Sequence, residues 1–390
     1  MTSEHRTCTR CVMDTTATAI VFDENGACNY CTTFLALQAR RDRGGNPEQR
    51  RDEFLARVRA AGRGKRYDCI VGVSGGVDSS YVLYLAVTHG LRPLAVHLDN
   101  GWNSELATHN IASLVTKLGV DLHTHVIDWE ENRDLQRSFF ESNVVDIEML
   151  VDSALIALNY QQAAKYGLRH ILSGSNIATE GLGMPEGWNH LKYDATNIRA
   201  IHAKFGTVPI RTHPLISVVD YIWYEFGRGI TWVPFLDYFP YNKFEAMQTL
   251  QKVIGYKPYP YKHYESVFTR FYQAYILPKK FGYDKRRVHL ATLVASGQMP
   301  RDEALRLLEQ PTYPDPAQEA DDRAFVLKKL GFTEEYFEAY MRAPGVPHDA
   351  FPSEAQLYRR LSTVYKKWRG VLRGEQPFVL PPALVQSKTR

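Results

Sequence analysis

The chain has 390 residues, 44% of them hydrophobic, with 47 basic against 43 acidic side chains and a formal net charge of +4. That length supports one large or two ordinary domains with buried cores, while the small charge excludes a protein that coats nucleic acid yet suits anionic substrates such as nucleotides. Met1 to Arg10 lacks the basic flank and apolar run of a secretory signal, and no run of about eighteen apolar residues occurs anywhere, so the expectation is a cytosolic protein with no membrane segment and no nucleic-acid partner.

At the start of the chain, Cys8-x-x-Cys11 and Cys28-x-x-Cys31 account for four of the five cysteines, too few and too clustered for a secreted disulfide framework. Each pair has the spacing that presents two thiolates to one tetrahedral ion, Zn²⁺ or iron. The intervening Asp23-Glu24-Asn25-Gly26 is a turn signal that brings the pairs together as a small ribbon. With all four positions cysteine, no site stays open for water, so the role read for the ion is structural. Residues 1–33 are therefore taken as a zinc ribbon. The Arg-rich segment 34–66, interrupted by Gly44-Gly45 and Asn46-Pro47, is taken as a helical linker.

From Tyr67 the pattern alternates. Strands are expected over Cys69–Val73, Pro93–Leu98, Leu122–Ile127 and Arg169–Leu172, with helices over Ser79–His89, Glu105–Leu118 and between Arg133 and Tyr166. Such alternation implies a doubly wound α/β domain with a parallel sheet, assigned to residues 67–240. Cys69, inside the first strand, reads as a small core residue rather than a nucleophile. Residues 241–390 are aromatic, charged and helix-rich, as in Tyr261–Leu277 and Arg301–Leu308, and Ser353-Glu354-Ala355-Gln356 reads as a capping box opening a helix to about Gly370.

The chemistry begins between the first strand and its helix, where Val73 to Ser80 reads V-S-G-G-V-D-S-S. Gly75-Gly76 permits a sharp turn whose backbone N–H groups converge on an anion. The following helix adds its positive end, and Ser74, Ser79 and Ser80 add hydroxyl donors. Asp78, set among these donors, would repel phosphate unless a divalent cation lay between them, which assigns it to Mg²⁺. The Walker spacing and its lysine are absent. The octet resembles the PP-loop of the ATP pyrophosphatase family (adenine nucleotide alpha hydrolase-like), whose members cleave ATP between the α and β phosphates. By place in that family's pattern, Asp99 and Asn100 at the end of the second strand would meet adenine and ribose, and Ser173 and Gly174 at the end of the fourth would let the nucleotide approach.

Longer stretches resemble the N-acetyl sugar amidotransferases of bacterial surface-polysaccharide (LPS O-antigen) synthesis, the WbpG-like family. They comprise Cys8 to Asp14, Phe22 to Cys31, the loop itself, His97 to Trp102, Ser173 to Glu180, Phe271 to Arg287 and Ser296 to Met299. The resemblance implies that ATP activates the acetamido carbonyl of a nucleotide-linked sugar and that ammonia displaces the activated oxygen, giving an acetamidino group. It also implies a separate glutaminase, paired with a cyclase-like subunit, as the ammonia source. Within the basic run Lys279 to Arg287, Lys280 and Lys285 become candidates for the triphosphate and departing pyrophosphate. Glu180, the stretch Gly181 to Pro185, Trp188, His190 and Lys192 become candidates for the sugar site. The rival reading is a PP-loop tRNA thiolase, which would need reactive cysteines or an iron–sulfur cluster near the ATP loop. A third is a non-catalytic zinc-ribbon adaptor.

Overall fold

Five short apolar runs between Cys69 and Pro234 assemble, in the computed structural model, into one parallel sheet: β1 (Cys69–Gly72), β2 (Pro93–Asp99), β3 (Leu122–Val126), β4 (His170–Ser173) and β5 (Thr231–Pro234), in the order β3-β2-β1-β4-β5. The structure describes residues 5–42, 45–259, 264–313 and 315–363. The two-residue period of each strand sends alternate side chains to opposite cores. Val71, Ala95 and Leu172 face the helices α3 (Val77–Thr88) and α4 (Glu105–Leu118), whereas Ile70, Leu94, Val96 and Ile171 face α6 (Met149–Lys165). This is the doubly wound α/β arrangement expected from the alternation. β1 lies where the strand order reverses, so a crevice opens at the carboxyl ends of β1 and β4.

β5 was not anticipated: it is four residues long, sits on the sheet edge and ends in Pro234, which offers no N–H to a further neighbour. The Arg-rich segment after the ribbon forms α1 (Asn29–Asp42) and α2 (Pro47–Ala61). Asn46-Pro47, read as an interruption, is a start signal, since Asn46 Oδ1 accepts from the Glu48 amide at 2.8 Å and Pro47 occupies the first turn. α2 packs Phe54, Leu55 and Val58 into the same core as α3 and the helix Lys243–Ile254.

The C-terminal helices close around α5 (Trp129–Ser142), whose Leu135, Phe139 and Phe140 pack with Phe268, Phe271, Tyr272, Phe337 and Tyr340. The helix expected over Tyr261–Leu277 begins at Val267 and widens into a π-helical segment, Tyr272–Phe281, that accommodates Pro278; residues 261–263 lie outside the described residues. At Ser353 the capping box is not what forms. Ser353 Oγ accepts from the Ala355 amide and donates to Asp194 at 2.6 Å, while Glu354 accepts from Thr196 and the Val218 amide. Tertiary partners thus took the polar groups that a local cap would have used; the part of that helix from 364 towards Gly370 lies outside the described residues. No helix among the described residues is long and apolar enough to cross a membrane.

Candidate active site

At the end of β1 the chain turns through Gly75, whose φ of +82° is the left-handed region and whose added Cβ would stand 3.0 Å from the Ala107 carbonyl oxygen. Gly76 then caps α3 in extended conformation. Ser79 Oγ accepts from the Ser74 amide at 3.3 Å and donates to the Gly76 carbonyl at 3.2 Å, which draws the loop into a closed nest. Two phenols clamp it from outside, Tyr256 and Tyr259 each donating to the Gly75 carbonyl at 3.1 Å. Gly174 fits against the same turn, since a Cβ there would lie 3.0 Å from the Ser79 amide nitrogen. Asp78 accepts a hydrogen bond from Tyr241.

Above the carboxyl ends of the strands lies a cavity of about 720 Å³, whose walls include Ser74, Gly76, Asp78, Ser79, Asn100, Ser173 and Gly174. Its size falls in the range of small-molecule sites. Three of the expected loop and nucleotide positions are placed differently. Gly75 backs the nest from behind through its carbonyl. Ser80 is fully buried, with its hydroxyl lacking a partner. Asp99 shapes the turn after β2, accepting from the Gly101 amide at 2.9 Å and from Asn103 at 3.3 Å, while the neighbouring Asn100 reaches the cavity.

The far wall belongs to the C-terminal half and to α6. Lys285 pairs with Glu148 at 2.8 Å, and Gln273 donates to both Glu148 oxygens. Lys192 bridges Asp146 at 2.6 Å and Asp152 at 3.0 Å. Burial pushes the Asp146 carboxyl up, but Lys192, Lys285 and His348 outweigh it and bring it down to about 2. Burial likewise raises the Glu148 carboxyl, and there Lys285 and Gln273 only partly offset it. Lys192, a sugar-site candidate from the sequence, therefore lines the cavity together with Glu180. His190 stands behind, bonded to Asp194 and stacked on His348 at 4.3 Å, and Trp188 is buried against Tyr283. Sequence reasoning missed Asp146, Glu148 and Asp152. Their i, i+2, i+6 spacing straddles the start of α6, where only Glu148 and Asp152 have helical i, i+4 spacing, so no single periodicity of the segment marked the three as one cluster.

The basic run disperses. Lys279 pairs with Glu319, Arg286 with Asp284, and Arg287 with Asp14. Lys280 donates to the carbonyls of Tyr340 and Ala343 and to Asn143, so its charge sits at the C-terminal end of the helix Glu334–Arg342, away from the cavity. Burial brings its ammonium down to about 8. Of the two lysine candidates, the structure brings only Lys285 to the cavity.

The turn at Asp23 to Gly26 forms as expected, with Gly26 at φ +77°, and it gathers Cys8, Cys11, Cys28 and Cys31 into one buried cluster. Sulfur–sulfur separations of 3.6 to 3.7 Å are far longer than a disulfide bond. They match the edge of a tetrahedron, about 3.8 Å for sulfurs about 2.3 Å from a central ion. The amides of Arg10, Cys11 and Cys28 donate to Cys8 Sγ, which suits a thiolate. The donor set fits a four-coordinate ion such as zinc. Arg301 donates to the carbonyls of Cys8 and Cys11, and Arg287 to that of Val12, so the ribbon is docked on the C-terminal helices.

Among solved structures, the chain is similar to the NMN synthetase of Francisella tularensis (14% identity, TM-score 0.28, covering 56% of this chain and 99% of that one). It is also similar to the NH3-dependent NAD synthetase of Campylobacter jejuni in complex with the nitrate ion (13% identity, TM-score 0.29, covering 65% of this chain and 98% of that one). No curated protein matches it. Residues 265–365 match the family model described as the C-terminal domain of the LPS biosynthesis protein WbpG-like family. That stretch, similar to the C-terminal domain of the WbpG-like LPS biosynthesis proteins, contains Gln273, Lys285 and the helices on which the ribbon is docked.

Proposed function

We propose that this protein is an ATP-dependent C–N ligase of LPS biosynthesis that converts the acetamido group of a nucleotide-linked sugar into an acetamidino group. The observation that carries the reading is the placement of two halves around one cavity: the glycine nest with Asp78 on one wall, and Lys285 with Glu148 and Gln273 of the WbpG-like half on the other. An amide oxygen is a very poor leaving group. In the proposed reaction it attacks the α phosphorus of ATP, pyrophosphate departs, and the oxygen is now carried by AMP. Ammonia then adds to the amide carbon, the C–O bond breaks, and AMP leaves with the oxygen while one proton of the ammonia is released.

The chain's residues fall into matching roles. Backbone amides of the Ser74–Ser79 nest would hold the β and γ phosphates, and Asp78 would bind Mg²⁺, which supplies charge neutralisation on the phosphates when bound. Lys285 and Lys192 would face the acceptor or the departing pyrophosphate. Zinc is the ion proposed for the Cys8, Cys11, Cys28, Cys31 ribbon, in a structural role. Ammonia is proposed to come from a partner glutaminase with its cyclase-like subunit. The thiolase reading finds less support, because the fifth cysteine, Cys69, is fully buried in β1, where burial pushes its thiol well up, away from the reactive thiolate.

Incubation with ATP, Mg²⁺, ammonium and nucleotide-linked acetamido sugars is expected to release AMP and pyrophosphate in equal amounts, and Asp78→Asn to reduce the rate at least 100-fold with the ribbon still metallated. Release of ADP and phosphate would exclude adenylation, and sulfur incorporation into tRNA would favour the rival.

A further inference from the structure

Behind the Glu148–Lys285 pair lies a second, enclosed space of about 10 Å³, close to the volume that one water-sized molecule needs. It shares Asn100, Glu148, Val151, Ser266 and Thr269 with the main cavity, so a single layer of side chains separates the two. On its inner side stands His213, 4% exposed, with neither ring nitrogen making a hydrogen bond of normal geometry. The backbone that carries the ring is anchored, because Glu131 accepts from the His213 amide at 2.7 Å and from the Thr212 amide at 2.8 Å. The Leu150 backbone lies near the ring, but a buried polar ring with no well-formed hydrogen bond is uncommon and has room for a small hydrogen-bonding occupant.

We propose that this chamber receives the nitrogen nucleophile as a single molecule of neutral ammonia and delivers it past Glu148 to the acceptor in the main cavity; this rests on the ligase reading above. The chemistry favours a neutral guest. An ammonium ion would lose its hydration in a space with room for one small molecule, whose walls include Ile127, Ile147, Leu150 and Phe268 beside the amides of Asn132 and Gln136. The nearest carboxylate, Glu148, already has its cation in Lys285. Burial holds the His213 imidazole down at about 4, so at neutral pH it is uncharged, offers one lone pair to an N–H and carries no imidazolium proton that would convert ammonia to ammonium.

The chamber is tested apart from turnover by following the side-chain ¹⁵N signals of His213, assigned by their loss in His213→Phe and His213→Gln. They are expected to shift saturably with ammonium chloride at pH 8 and not with sodium chloride at equal ionic strength. Signals that ignore ammonium would mean that the chamber holds only water, and would overturn the proposal. In steady state, His213→Phe, which fills the space, is expected to raise the ammonium KM at least tenfold while acceptor-dependent ATP–pyrophosphate exchange, measured without ammonium, is unchanged. An unaltered ammonium KM in a folded His213→Phe overturns the proposal too. Absence of that exchange in the unaltered protein would instead remove the ligase reading, and the ¹⁵N titration would still decide whether the chamber takes ammonia.

Discussion

Gly75 is held by geometry on three sides: a positive φ, the Ala107 carbonyl where a Cβ would go, and two tyrosine hydroxyls on its own carbonyl. Gly75→Ala is expected to cost about 1–2 kcal/mol in local strain and to weaken ATP binding at least tenfold, read by calorimetric titration beside a thermal melt; unchanged affinity would mean that the nest does not touch the nucleotide. Two lysines of one basic run separate just as sharply. Lys285 is buried against Glu148 at the cavity wall, and removing one member of such a pair costs about 3–5 kcal/mol. Lys280 instead caps a helix end. Lys285→Met is therefore expected to abolish AMP formation, while Lys280→Met leaves it within about threefold and lowers the melting temperature. Equal losses of activity in the two would contradict this division. The run was legible in the sequence as positive charge, but which lysine faces the cavity was not, because Lys280 lies in the π-helical segment and Lys285 opens the next helix after a turn, so the two point to different partners.

The ribbon acts as an element through what it touches. Its core joins Phe34 of α1, Leu182, Trp188, and Val288 and Ala291 of the helix Lys285–Ala295. Leu182 and Val288 also line the cavity, so the cysteine cluster buttresses the wall that the acceptor sugar is proposed to meet. Stripping the metal with a chelator is expected to red-shift tryptophan fluorescence as Trp188 is exposed and to raise the acceptor KM more than the ATP KM. Far-UV circular dichroism should change little, because the sheet lies in other cores. A rise confined to ATP would place the ribbon's influence at the phosphate loop. Both C-x-x-C pairs and their turn were readable, since spacing within thirty residues is local. The docking was not, because it depends on Arg287 and Arg301, nearly three hundred residues further along.

Across the whole molecule, stability carries a pH signature from Glu225, which accepts from Tyr160 and from the Trp232 amide of β5. Burial pushes its carboxyl from 4.5 up to about 7. A raised folded value means that folding takes up a proton between these limits, so the stabilising contribution is full below about 4.5 and is lost as the pH rises through 7. Glu225→Gln mimics the protonated form. It is expected to melt higher than the unaltered protein at pH 8.5 and to lose that advantage by pH 5; an advantage independent of pH would point to packing instead. The sequence by itself determined the cysteine ribbon, the parallel α/β alternation and the phosphate loop, because each is written in short-range spacing and periodicity. Only the tertiary structure decided that Asp146, Glu148, Asp152, Lys192 and Lys285 meet at one wall and that His213 stands behind it. Those contacts join the start of α6 to a loop and to a C-terminal helix across as many as 137 residues, where chain closure and packing set the partners and no local pattern does.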